Sequence, residues 1–106
     1  MVQNEKITLE RSQRENPFHP GEILKAQFLE PRSMSQRKLA EKIKVYYPRV
    51  NQIVNGKRGI TVDTAARLAQ VFDTTPEFWL NLQQSYDLYR LKQGEKWKEI
   101  EEINFA

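Results

Sequence analysis

Apolar residues recur at helical spacing along most of this chain, and two short stripes stand out. The first consists of Leu39, Ala40 and Ile43, and the second of Val50, Ile53 and Val54. Each stripe covers one face of a short helix and leaves the opposite face polar. Ser35 precedes the first stripe as an N-cap, and Asn55-Gly56 ends the second. The pattern predicts two helices joined by a tight turn, which is the layout of a helix-turn-helix.

Further stripes predict helices on both sides of this pair. One opens at Pro20, because a proline is tolerated where the helix N–H groups have no partner. Thr61 caps another, and Thr75-Pro76 starts a last helix that runs to about Lys92. The predicted fold class is all-α: a five-helix domain over residues 18–92, with a flexible N-terminal arm over 1–17 and a C-terminal extension over 93–106. The extension is expected to form either a short docked helix or an extended segment that adheres to the domain.

The last helix carries two apolar stripes, which implies two neighbours. Phe78, Trp79, Leu82, Tyr86 and Tyr89 share one side, which is expected to cover the core. The second side holds Leu80, Leu88 and Leu91, with Gln84 among them. A contiguous leucine patch on a monomer usually marks an association surface, so these four residues are the predicted homodimer interface. The alternative is that this side packs under the arm or the tail of the same chain.

Charge is concentrated in the helix-turn-helix segment. Residues 35–59 hold seven Lys or Arg residues against Glu41 alone, a net charge of +6, whereas the whole chain carries +3. The remainder therefore sums to −3. A basic patch of this kind is the electrostatic footprint of phosphate contacts, and the alternative is a basic face that is only solvated. The distribution favours double-stranded DNA as a partner.

The second helix of the pair and the residues around it carry side chains suited to bases and phosphates. Arg49 and Gln52 are expected to reach base edges, since arginine pairs with guanine and glutamine with adenine through two hydrogen bonds. Asn51 is expected to hold either a phosphate or the first helix. Tyr46 and Tyr47 either touch DNA or pack. The full set of candidate DNA-binding residues is Gln36, Arg37, Tyr46, Tyr47, Arg49, Asn51, Gln52, Asn55, Lys57 and Arg58.

Composition argues against other classes of protein. There is no cysteine, and His19 is the only histidine, so neither a metal site nor a cofactor is expected, and His19 is assigned to a helix start or to the surface. The four glycines match no phosphate-binding loop, which makes an enzyme the weakest candidate. No apolar run approaches the ~20 residues needed to cross a bilayer, and the charged N-terminus does not read as a secretory signal. A cytoplasmic protein is expected.

Several sequence segments match a known family. They are HPGEILKAQFLEP, then Gln36, Ala40, Val45, Val50 and Ile53 at helix-turn-helix spacing, then VNGKRGIT and FDTTPEFWLNLQQSYDL. With these, the chain resembles the HigA-type addiction-module antitoxins, also labelled virulence-associated protein I, within the lambda-repressor-like helix-turn-helix proteins. The resemblance implies a dimeric antitoxin that neutralises a HigB-type RNase toxin and binds a palindromic operator to repress the operon encoding both.

Three residues depart from the family pattern at the turn. Lys44 stands where glycine is usual, Tyr46 where a small capping residue is usual, and Pro48 is unusual in the following helix. A non-glycine residue in a left-handed turn costs on the order of 1 kcal/mol. The second helix is therefore expected to begin a residue late or to be slightly re-aimed.

Two other functions are kept beside the DNA-binding antitoxin. One is a transcriptional regulator of the same fold without a toxin partner. The other is a protein-binding module whose altered turn has abolished DNA recognition. A neighbouring gene for a short RNase would separate the antitoxin from the first alternative, and binding to DNA at low salt would separate it from the second.

Overall fold

The computed structural model describes residues 17–104, in which every regular element is a helix. Helix α1 begins as an α-helix over Pro20–Ile23, continues as a π-helix over Leu24–Leu29 and ends in a 3₁₀ turn over Glu30–Arg32. It is followed by α2 (Gln36–Ile43), α3 (Tyr47–Val54), α4 (Val62–Phe72), α5 (Pro76–Gln93) and α6 (Lys96–Glu101). The predicted all-α fold is confirmed, and α6 lies in the predicted C-terminal extension. The predicted flexible arm lies outside the described residues, apart from Pro17.

The helix starts follow from local sequence. The hydroxyls of Ser35, Thr61 and Thr75 each accept a hydrogen bond from the backbone N–H three residues on, at 3.0, 3.3 and 3.1 Å. Each bond satisfies a donor that has no partner inside its helix. The buried His19 caps α1, since its Nδ1 accepts from the N–H of Gly21 at 2.9 Å. Helices α1, α2, α4 and α5 therefore begin where the sequence predicts.

The chain divides into two units, Phe18–Gln84 and one that contains residues 85–104. The first unit holds the core, to which α1, α2, α3, α4 and the first part of α5 contribute. Val50 and Ile53 are each only 1% exposed, which confirms the inward stripe of α3. In the second unit, the Nζ of Lys92 lies 5.4 Å from the ring centroid of Trp97, and Leu88 is 46% exposed.

A buried tryptophan fixes the start of α5. Trp79 is fully buried and donates from Nε1 to the Thr74 hydroxyl at 2.8 Å. Its ring centroid lies 4.9 Å from that of Phe28 in α1, 5.0 Å from Phe78 and 6.3 Å from Phe72 in α4. Rings at such distances add to the stabilisation by burial. This cluster holds α1, α4 and α5 together.

The predicted leucine stripe of α5 is not uniformly exposed. Leu80 is half-buried and packs against the core of its own chain, which differs from the expectation of a free face. Gln84 is exposed, and it ends the first unit. Leu80 lies only four residues after Pro76, so it is still within reach of the packed helix start. Within residues 17–104, none of the helices is both long and apolar enough to span a membrane.

Helix α1 touches the backbone of α3 at a glycine. A Cβ atom built on Gly21 would lie 1.8 Å from the carbonyl oxygen of Ile53 and 3.0 Å from the Cα of Val54. Both are backbone atoms, so no side-chain rotation relieves the overlap. Only glycine permits this approach, and Gly21 thus sets the distance between α1 and α3.

We predict that Gly21→Ala pushes α1 away from α3. Overpacking a core costs about 1–3 kcal/mol or more, which lowers the Tm of a domain this small by on the order of 10 °C. Thermal and urea unfolding measure the loss. Gly94→Ala is the matched control, since a Cβ there would meet its nearest atoms at 3.7 and 3.9 Å, which is ordinary contact. Equal stability of the two variants would contradict the prediction.

Candidate nucleic-acid interface

The turn between α2 and α3 is built without glycine. Lys44 adopts the left-handed conformation, with φ 62° and ψ 49°, and its N–H donates to the carbonyl of Glu41. The N–H of Val45 donates to the carbonyl of Ala40 at 3.0 Å, which closes the end of α2. Ala40 is 4% exposed, and its small side chain lets the two helices pack closely. The turn is therefore tight and hydrogen-bonded despite the lysine.

Helix α3 starts without a side-chain cap. Tyr46 occupies the N-cap position, makes no capping hydrogen bond and is 88% exposed. Pro48 lies in the first turn, where its missing N–H costs nothing. The N–H of Arg49 donates to the carbonyl of Tyr46 at 3.0 Å. The unusual residues are thus accommodated at the helix start, and Tyr46 projects into solvent.

Asn51 joins the two helices of the motif. Its Nδ2 donates to the Oε1 of Gln36 in α2 at 3.0 Å and to the hydroxyl of Tyr47 at 3.1 Å. Its Oδ1 accepts from the Nδ2 of Asn55 at 3.2 Å. Of the two roles expected for Asn51, contact with the first helix is the one present in the structure. Four of the candidate residues are therefore linked in one chain of hydrogen bonds.

A cation–π contact adds a second link between α2 and α3. The guanidinium carbon of Arg37 lies 4.2 Å from the ring centroid of Tyr47. Stacking of this kind fixes the direction of a long side chain that would otherwise sample many rotamers. Tyr47 is half-buried and contacts both Asn51 and Arg37, so packing is one of its roles.

The loop after α3 presents basic side chains. Gly56 adopts φ 74°, as expected for a residue just past a helix end, whereas Asn55 does not enter the left-handed region. Lys57 and Arg58 are exposed, and the Nε of Arg58 donates to the Oε1 of Gln52 at 3.0 Å. The loop is anchored beyond them, because the N–H of the buried Ile60 donates to the Oε1 of Gln83 at 2.7 Å.

Arg49 forms an ion pair with Asp63, which is not among the ten candidate DNA-binding residues. Its Nη1 lies 2.9 Å from the Oδ2 of Asp63, in the first turn of α4, and 3.5 Å from the Thr64 hydroxyl. The same Oδ2 accepts from the Nε of Arg67 at 2.9 Å. Hydrogen bonds from Arg67 and then from Arg49 lower the pKa of Asp63 below its ordinary value, and they outweigh the opposing effect of burial. The carboxylate is therefore ionised at neutral pH.

Arg67 connects Asp63 to the turn between α2 and α3. Its Nη1 donates to the carbonyls of Ile43 at 2.8 Å and of Lys44 at 3.4 Å. The last carbonyls of a helix lack partners inside it, so Arg67 satisfies acceptors that α2 leaves open. The spacing of Asp63 and Arg67, four residues apart in one helix, signals their own pairing in the sequence. Their contact with Arg49 and the turn depends on tertiary packing, and no sequence pattern gives it.

The structure thus brings nine of the ten candidate DNA-binding residues into three linked groups or the adjoining loop. These groups are Gln36, Tyr47, Asn51 and Asn55 with Arg37 stacked on Tyr47; Gln52 with Arg58 beside Lys57; and Arg49 with Asp63 and Arg67. Tyr46 stands apart in solvent. Within residues 17–104, no cluster of three or more His, Cys, Asp or Glu side chains is placed to hold a metal ion.

The profile of the helix-turn-helix family matches residues 25–79 of this chain. An uncharacterized HTH-type transcriptional regulator of Haemophilus influenzae is 45% identical over 83 residues, which is 78% of each chain. Antitoxin HigA-1 of Vibrio cholerae is 39% identical over 79 residues, which is 74% of each chain. The structure of the Pseudomonas aeruginosa antitoxin HigA with higBA promoter superposes with a TM-score of 0.79 at 43% identity, covering 84% of this chain and 97% of that one. The resemblance found in the sequence is confirmed.

The left-handed conformation of Lys44 allows the backbone strain in the turn to be tested. We predict that Lys44→Gly stabilises the protein by about 0.5–1 kcal/mol, because glycine enters this conformation without the steric cost that a Cβ imposes. Lys44→Ala removes the same charge and keeps the Cβ, so it is expected to give no gain. Urea unfolding compares the two variants. Equal midpoints for glycine and alanine would mean that the turn is not strained.

Proposed function

The chain belongs to the helix-turn-helix family, in the group that includes the HigA antitoxins, and we propose that it is a sequence-specific DNA-binding antitoxin that represses its own operon. The observation that carries this proposal is the orientation of α3. Val50 and Ile53 face the core, while Gln52 and Asn55 are exposed beside a loop that carries Lys57 and Arg58. A helix that presents polar side chains next to basic ones suits the major groove of DNA.

We assign two kinds of contact to this surface. Arg49 and Gln52 read base edges. The Oε1 of Gln52 has two lone pairs, of which Arg58 uses one, so the amide can still exchange two hydrogen bonds with an adenine. Phosphates are held by Gln36, Arg37, Lys57 and Arg58, which flank the helix on both sides. The promoter complex of the Pseudomonas aeruginosa HigA, which shares 43% of its sequence with this chain, supports a role of the fold in operator binding.

The proposal includes a homodimer on a palindromic operator. Helix-turn-helix dimers bind half-sites about 34 Å apart, which requires two copies in a fixed geometry. Leu88, 46% exposed on α5, supports an apolar surface available to a second copy, and Leu91 belongs to the same predicted stripe. Leu80 contributes less than the sequence suggests, because it already packs against its own core. The proposal places the protein in the compartment that holds the operator DNA.

The second partner in this proposal is a HigB-type RNase toxin, which the antitoxin name of the relatives supports. The alternative is a transcriptional regulator without a toxin. It is favoured by the Haemophilus influenzae relative, which is more similar in sequence than HigA-1 and is described only as a regulator. Both functions use the same DNA-binding surface and differ in the protein partner.

For DNA binding, we predict that Arg49→Ala and Lys57→Ala fail in different ways. Arg49→Ala should lose discrimination between operator and random duplex, because a bidentate base contact contributes about 1–3 kcal/mol of specificity. Lys57→Ala should weaken binding to both duplexes alike and lower the salt dependence by about one unit. Gel-shift titrations at several salt concentrations measure both effects. Equal losses from the two substitutions would contradict the assignment.

For the protein partner, we predict that this chain copurifies with the product of a short neighbouring gene when both are expressed together. The complex should elute at a size larger than that of the chain expressed alone, and its toxin subunit should be inactive as an RNase. Size-exclusion chromatography with light scattering gives the stoichiometry. A chain that binds its operator and never retains the neighbouring product would establish the regulator alternative instead.

A further inference from the structure

The contact between Asp63 and Arg49 crosses from α4 to the start of α3. Within residues 17–104, Nη1 is the one nitrogen of the Arg49 side chain that makes a hydrogen bond or an ion pair. The Nε and Nη2 groups, which lie on the other edge of the guanidinium, remain for an outside partner. That edge is itself a fork of two parallel donors, the form that pairs with the O6 and N7 of guanine. The carboxylate of Asp63 therefore binds one edge of the Arg49 guanidinium and uses neither donor of the other edge.

Asp63 is itself held by a second arginine. Asp63 is bound at the same distance, 2.9 Å, by Arg49 and by Arg67, and Arg67 is fastened to the end of α2 through the Ile43 carbonyl. The side chain of Arg49 is 33% exposed, so it is partly withdrawn from solvent. An arginine carries about 2 kcal/mol of rotamer entropy, which is lost when a contact orders it. Holding Arg49 before DNA arrives removes part of that cost from binding.

We propose that Asp63 is a positioning residue for DNA specificity: it orients Arg49 so that its Nε and Nη2 donors meet one base pair of the operator. This inference rests on the proposed function, and it adds a residue of α4 that does not itself touch a base. The negative charge of Asp63 is shared by two arginines, so the three side chains together carry +1 and still attract DNA. Its removal would leave +2 at the same place.

Two opposite effects follow from removing the carboxylate. Binding to any duplex becomes stronger, because one more positive charge faces the phosphates and the salt dependence rises by up to about one unit. Preference for the operator becomes weaker, because Arg49 is free to contact phosphate or several bases. A residue that only fastened α4 to the turn would change the melting temperature and leave the preference unaltered. Tighter binding to any duplex together with weaker preference for the operator therefore distinguishes a positioning role of Asp63 from a purely structural one.

The test uses a duplex selected by the wild-type protein from a random library and a scrambled duplex of equal length. Asp63→Asn should reduce the ratio of the two affinities by about five- to tenfold while tightening binding to the scrambled duplex. Asp73→Asn is the matched control. It changes the net charge identically at the far end of the same helix, and asparagine tolerates the left-handed conformation that Asp73 adopts, with φ 57°. The ratio for Asp73→Asn should equal the wild-type ratio.

A double-substitution cycle makes the test specific to Arg49. In an Arg49→Ala background, Asp63→Asn should not change the preference that remains from Gln52, because the side chain that Asp63 positions is gone. If Asp63→Asn unfolds, Asp63→Glu replaces it: the charge stays, the carboxylate moves by one methylene, and the ratio should fall without tighter binding to scrambled DNA. An unchanged ratio in a folded Asp63 variant overturns the inference. A wild-type protein with no preference for any duplex overturns the proposed function, and the inference with it.

Discussion

The fold depends on one contact between backbones. At Gly21 the first turn of α1 lies directly on the carbonyl of Ile53, with no space for even a methyl group. Because atoms of the main chain set this minimum distance, α3 cannot move closer to α1 by repacking side chains. His19 reinforces the contact by capping the same turn. The inward side of α3 is then filled by Val50 and Ile53, and its polar side must face outward. The orientation of the candidate DNA-binding surface is thus a consequence of how closely two helices approach.

A second set of contacts explains how the turn between α2 and α3 tolerates a lysine. A left-handed residue other than glycine is unfavourable on its own. Here the carbonyls of Ile43 and Lys44 accept hydrogen bonds from Arg67, a residue of α4 that is itself paired with Asp63. Contacts from a neighbouring helix therefore stabilise a turn that local sequence disfavours.

The sequence predicted features that depend on residues close to one another along the chain. The caps at Ser35 and Thr61 and the buried stripes of α2 and α3 depend on spacings within a few residues, and the structure confirms them. Contacts between distant segments were missed. Asp63 is fourteen residues from Arg49, and nothing in either segment indicates their pairing. The burial of Leu80 was missed for the same reason, since helical periodicity places a residue on a face and does not say how far the neighbouring helix extends. The π-helical part of α1 likewise has no signal in apolar spacing.

The polar face of α3 is ordered before any partner is bound. Asn51 holds Gln36 and Tyr47, Arg58 holds Gln52, and Asp63 holds Arg49. Gln52 and Arg49 each keep further donors beyond these contacts, whereas both Nδ2 hydrogens of Asn51 are used within the protein. Surface polar residues usually lose rotamer entropy when they bind, and that loss weakens association. A face whose side chains are already paired with one another loses less on binding. On the proposed base contacts, such a face would also accept fewer arrangements of bases, because a donor that is held by a neighbour cannot turn to another acceptor. Hydrogen bonds within the protein therefore prearrange the side chains to which the proposed function assigns the DNA contacts.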